Sequence, residues 1–98
     1  MKTSIKLGAQ VEQYVKSLAP EPRGRVTAAI KGLAKNQGDI KQLEGRLQAY
    51  SRLRIAGHRV IFRESAKRGE RLIECIFAEK RSLVYDLFIR LLAEHPEK

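Results

Sequence analysis

"YSRLRIAGHRVIF", residues 50–62, alternates side chains across a short reversal and sets the fold of the whole chain. From Leu47 the period is two: Leu47, Ala49, Ser51, Leu53 and Ile55 point one way, and Gln48, Tyr50, Arg52 and Arg54 the other. "AGH" predicts a tight turn around Gly57, after which "RVIFRE" returns as the next strand. The hairpin is also strongly cationic. Between Gly45 and Arg63 lie five arginines (Arg46, Arg52, Arg54, Arg59, Arg63) and neither Asp nor Glu. Arg52 and Arg54 share a strand face, and Arg59 falls within cross-strand reach of them. Like charges stacked on a sheet destabilise it unless a counter-charge arrives, so the arrangement raises the question of what that counter-charge is.

Outward from the hairpin the periods change. "TSIKL" predicts a short first strand carrying Ile5 and Leu7 on one side. Val11, Tyr14, Val15 and Leu18 then recur at helical spacing, as do Val26, Ala29, Ile30 and Leu33. "APEPRG" separates the two helices, because neither proline continues a helix interior, and "NQGD" ends the second, with Gly38 as its stop. After the arginine hairpin, "SAKRGE" reads as a loop and "RLIECIFAE" as a nearly continuous apolar run, the mark of a central strand. Val84, Leu87, Phe88, Leu91 and Leu92 predict a closing helix. The expected fold is α+β: a small antiparallel sheet with an N-terminal helical hairpin and a C-terminal helix, in the order β-α-α-β-β-β-α.

The chain of 98 residues suits one domain spanning 1–98, with residues 94–98 expected to fray. Lys and Arg number 20 against 11 Asp and Glu, a net charge of +9, which points to a polyanionic partner. Cys75 is the only cysteine, which excludes a disulfide framework or a cysteine zinc site and fits a reducing cytoplasm. No signal-peptide core is present, and Asp86 and Arg90 break the most apolar stretch, so no membrane span is expected. Histidines and carboxylates are too scattered for a metal cluster, and no glycine-rich nucleotide loop occurs; no metal or cofactor is expected.

Arginine grips phosphate through a planar, permanently charged fork, so the arginine face reads as a phosphate or RNA platform. Its alternative is a solvated outer face with long side chains lying over the sheet. Tyr50 has two readings, base stacking in a basic groove or packing of the strand. His58 has two as well, general acid–base work or a turn histidine without chemistry, since alternation sets it opposite Arg59.

Taken together, "LEG" (43–45), the arginine strand, "GHRVIF" (57–62) and "RSLVYDLF" (81–88) resemble the RelE/ParE toxin superfamily, in the family's order and after a helical hairpin of the expected length. The resemblance implies a cytoplasmic toxin of a type II toxin–antitoxin system, without cofactor. Cleaving members cut mRNA in the ribosomal A site, and an acidic, partly disordered antitoxin neutralises them in a hetero-oligomeric complex. By this resemblance Arg59 corresponds to the arginine at the scissile phosphate and Tyr85 to the catalytic tyrosine. Arg52 and Arg54, or with a one-residue gap Tyr50 and Arg52, stand where cleaving members carry paired lysines. A further catalytic arginine is replaced by Glu79, with Lys80 and Arg81 adjacent to substitute for it. Glu44 matches a general base of some relatives, or else orders the loop before the strand. Arg46, Tyr50, Arg52, Arg54, Arg63 and Lys80 are the expected RNA contacts. ParE-like members share the fold but inhibit DNA gyrase and cut nothing, which is the alternative function.

Overall fold

Thr3, Ile5 and Leu7 alternate with Lys2, Ser4 and Lys6, and they build strand β1 (Lys2–Leu7) with one half-buried side. The computed structural model describes residues 2–80 and Phe88. Helix α1 (Ala9–Ser17) follows, then α2 (Pro20–Gly32), extended by a 3-10 turn at Leu33–Lys35. The proline-rich segment expected to separate the helices instead opens the second one. Pro20 occupies the first helical turn, where a missing N–H costs nothing and the fixed φ suits the helix. Arg23 closes the corner by donating to the carbonyls of Lys16 and Leu18 at 3.1 and 2.9 Å.

The stop differs from the expectation too. Asn36, at φ 56°, is the left-handed cap, and Gly38 at φ 113° turns the chain onward into a strand. Position 38 favours glycine, because an L side chain is strained at φ 113° and its Cβ would lie 2.8 Å from Leu53 Cδ1.

That strand, β2 (Asp39–Gln42), was not anticipated, because four exposed residues with one aliphatic member carry no periodic signal. Gly45–Leu47 is a 3-10 turn, so β3 runs only over Ser51–Ile55, and Leu47 belongs to the turn and not to the strand. Strands β4 (His58–Lys67) and β5 (Glu70–Lys80) are longer than the sequence suggested. The predicted "SAKRGE" loop shrinks to Arg68 and Gly69, both with positive φ (53° and 77°), the backbone of a tight hairpin turn.

The sheet has five strands in the order β1-β5-β4-β3-β2. Four of them form an antiparallel meander, whereas β1 lies parallel to β5, so the sheet is mixed. A tight turn cannot join parallel neighbours; here the helices and three intervening strands make the connection.

Val11, Val26, Ile30 and Leu33 from the helices pack on Leu53, Val60, Phe62, Ile73, Cys75 and Ala78, which defines the helix face of the sheet. Leu47, Tyr50, Ile61, Phe77 and Phe88 form a second cluster on the other face. A bulge in β5 makes both clusters possible. Ile61 pairs with Phe77 and Phe62 with Cys75, so Ile76 has no partner residue and joins Phe77 on the second face. Phe88 is helical and buried; the rest of the expected closing helix, with Arg81 and Tyr85, lies outside the described residues.

Where β1 ends, α1 continues its work. Gly8 N–H donates to the Cys75 carbonyl at 2.8 Å, and the Gln10 amide then clamps Ala78, donating to its carbonyl and accepting from its N–H, both at 2.7 Å. Ala78 is fully buried, so these groups have no water to fall back on. Gln10→Ala is expected to cost about 2 kcal/mol, the penalty for stranding a buried donor and acceptor. Urea denaturation should show a lower midpoint at unchanged slope.

Candidate nucleic-acid interface

On β4 the side-chain period of two puts Arg59, Ile61 and Arg63 on the second face, together with Arg52 and Arg54 of β3. The expected cross-strand proximity holds: Arg54 and Arg59 are directly registered, and Arg52 stands opposite Ile61. Arg59 is 6% exposed, deep for a guanidinium, and its Nη1 donates to the His58 carbonyl at 3.2 Å. Arg54, by contrast, projects into solvent, and Lys80 is exposed at the same end of the sheet, registered with His58.

The stretch from Gly45 to Arg63 lacks acids in sequence, but its neighbouring strands supply them. Asp39 of β2 is registered with Arg54 and serves two arginines at once. Arg52 Nη1 lies 3.3 Å from Asp39 Oδ1 and 3.2 Å from the Asp39 carbonyl, and Arg54 Nε lies 3.8 Å from Oδ2. On the opposite side, β5 sets Glu79 against Arg59 in register, and Glu74 pairs with Arg63 at 3.4 Å. The counter-charges are therefore partly intramolecular. They were invisible to a local reading because every one of them is separated from its arginine by at least one turn of the chain.

The other expected residues divide. Tyr50 is buried in the second cluster, edge-on to Phe88 at 5.0 Å between ring centroids, so it packs and offers no open face to a base. Glu44 and Arg46 are exposed around the 3-10 turn, beyond the Ser51 end of β3. Arg54 lies three residues farther along that strand, roughly 10 Å at ~3.3 Å per residue, so Glu44 stands apart from the Arg54–Arg59 pair. Arg81 and Tyr85 lie outside the described residues.

His58 faces the helices, as alternation predicted. Its Nδ1 is 2.6 Å from the Tyr14 hydroxyl, with the rings edge to face at 5.7 Å. The pair ties α1 to the tip of the arginine hairpin. Burial raises the Tyr14 pKa above its usual value, and the Glu79 carboxylate raises it further. Cys75 is buried, which pushes its thiol up to about 12 and leaves it unreactive at neutral pH.

A folded pKa above the unfolded value contributes stability that is complete below the unfolded pKa and is lost as pH climbs through the folded pKa. The wild-type protein is therefore expected to lose stability in alkaline solution from about pH 9 through Cys75, with a further component above about pH 10 that Tyr14→Phe lacks. Denaturant titrations at a series of alkaline pH values would separate the two proteins.

No protein-family model matches the chain. No curated protein sequence matches it either. Solved structures do. One is a YoeB/ParE toxin from Agrobacterium tumefaciens, with TM-score 0.62 and 20% identity, covering 82% of this chain and 98% of that one. Another is the RelB–RelE antitoxin–toxin complex from Methanococcus jannaschii, with TM-score 0.59 and 17% identity, covering 85% of this chain and 98% of that one. The chain thus shares the fold of these structures, as the resemblance of its motifs implied.

Proposed function

We propose that this protein is the toxin of a type II toxin–antitoxin pair and acts as a ribosome-dependent mRNA endoribonuclease in the cytoplasm. The observation that carries the reading is the direct registration of Arg54 with Arg59, next to Arg52, on the sheet face away from the helical hairpin. Three guanidiniums at neighbouring positions suit a phosphodiester, on which negative charge grows as the adjacent 2′-hydroxyl attacks phosphorus. The P–O5′ bond then breaks, leaving a 2′,3′-cyclic phosphate and a free 5′-hydroxyl. Arginine stays charged throughout, so these side chains stabilise charge and position the backbone; they do not shuttle protons. In this reading Tyr85 acts at the nucleotide and Arg81 adds a further cation. The ribosome supplies much of the substrate's orientation, which accounts for a platform with few acid–base groups.

The fold shared with a toxin crystallised in complex with its antitoxin supports an antitoxin as the protein's resting partner, and the net charge of +9 favours an acidic one. No helix among the described residues is long and apolar enough to cross a membrane.

A second reading has one observation in its favour. Arg59 is registered with Glu79, so the central arginine faces a carboxylate where a nuclease would benefit from another cation. A gyrase-inhibiting toxin needs no such chemistry and would use the same face as a protein-binding surface.

Induction without antitoxin should arrest growth and, within minutes, produce new mRNA 5′ ends confined to translated regions. Arg54→Gln and Tyr85→Phe are each expected to lower cleavage by at least about tenfold, the loss of one charge-stabilising or positioning contact. Growth arrest with intact messages would instead assign the protein to gyrase inhibition.

A further inference from the structure

The proposed phosphate platform carries its own competitor. Asp39 holds Arg52 and Arg54 with a single carboxylate, one oxygen toward each. Its side chain is 55% exposed, against 14% for Arg52 and 43% for Arg54. An ion pair this open to water is weak, so an anion that also grips neighbouring cations can displace it. Asp39 can rotate its side chain but cannot withdraw its backbone. Its backbone is fixed by pairing with Arg54 and by the preceding Gly38, whose left-handed turn lies against Leu53. Once displaced, the carboxylate remains beside the incoming anion and repels it.

We propose that Asp39 is a specificity-determining residue of the arginine face: it occupies the Arg52–Arg54 fork as a phosphate surrogate and reserves it for polyanions that grip neighbouring cations at the same time. This rests on the reading of the face as an RNA platform. A lone phosphate gains too little from two arginines already satisfied by Asp39. A single-stranded RNA backbone also engages other cations of the face and can meet the cost of displacing one carboxylate.

The test is equilibrium binding of a fluorescein-labelled single-stranded oligouridylate, read by anisotropy over a range of KCl concentrations. The proteins are the wild type, Asp39→Asn, Asp39→Ser, and Asp39→Asn combined with Arg52→Gln. Asparagine keeps the size of the side chain and removes its charge; the serine variant serves if the asparagine one fails to fold, and circular dichroism establishes which are folded. At low salt, removal of the carboxylate is expected to tighten binding about fivefold, the scale of an exposed ion pair. The slope of log K against log salt should steepen by about 0.7, as for one added phosphate contact on a single strand. The double variant should lose the gain. Wild-type binding with no gain in either Asp39 variant would overturn the proposal and leave the platform reading in place. A gain that survives Arg52→Gln would overturn it as well. Absence of RNA binding by every protein, the wild type included, would remove the platform reading and this proposal with it.

Discussion

Strand β4 is the constraint on which the rest of the molecule depends. From Arg59 to Phe62 it is buried on both faces, so alternate residues must satisfy two different environments. Val60 and Phe62 meet the helices, while Ile61 meets Phe77 and the cluster containing Phe88. Arg59 occupies the one position in this run where a charge is held inside. A one-residue slip of β4 would exchange the two sets, placing the guanidinium against the helices and Val60 on the charged face. The arginine face is thus fixed by the same register that fixes the core.

The charge distribution follows from that register. The arginines cluster in sequence, but the acids that balance them come from both flanking strands, Asp39 from β2 and Glu74 and Glu79 from β5. Arg52 and Arg54 meet their carboxylate once β2 pairs with β3, whereas Arg59 and Arg63 face theirs only when β5 joins β4. The net charge of the chain remains strongly positive, so this balance is local: it lets cationic side chains share a sheet without neutralising the protein.

The fold was legible wherever one face of an element is buried and the other wet. Val11, Tyr14, Val15 and Leu18 read as a helix, as did Val26, Ala29, Ile30 and Leu33, because helical spacing needs only local information. The apolar run of β5 identified a central strand, since it is paired on both edges. Illegible parts share a different cause. The ends of β4 and β5 form an exposed arm with polar residues on both sides, so they resembled a loop; Arg71 secures that arm by reaching Glu64 at 2.6 Å and Asn36 at 2.7 Å. Tyr50 alternates correctly with Arg52 and Arg54, yet nothing local reveals that Leu47, Phe77 and Phe88 converge on it. For the site, the arginine registration was readable from the hairpin, whereas Asp39, Glu74 and Glu79 required knowledge of which strands lie side by side.

The clamp between Gln10 and Ala78 joins residues 68 positions apart, and the β1–β5 ladder beside it spans the same interval. During synthesis, β1 therefore waits for its partner. At a translation rate of ~5–20 residues per second, that delay is roughly 3–14 s. The arginine hairpin and Asp39 leave the ribosome well before Glu74 and Glu79. Arg63 precedes Glu79 by 16 residues, so for roughly 1–3 s of that delay the nascent chain carries its cationic hairpin with only part of its own neutralising charge, unable to close the sheet. The order of synthesis thus leaves the cationic hairpin of the newborn protein least neutralised before the chain has finished folding.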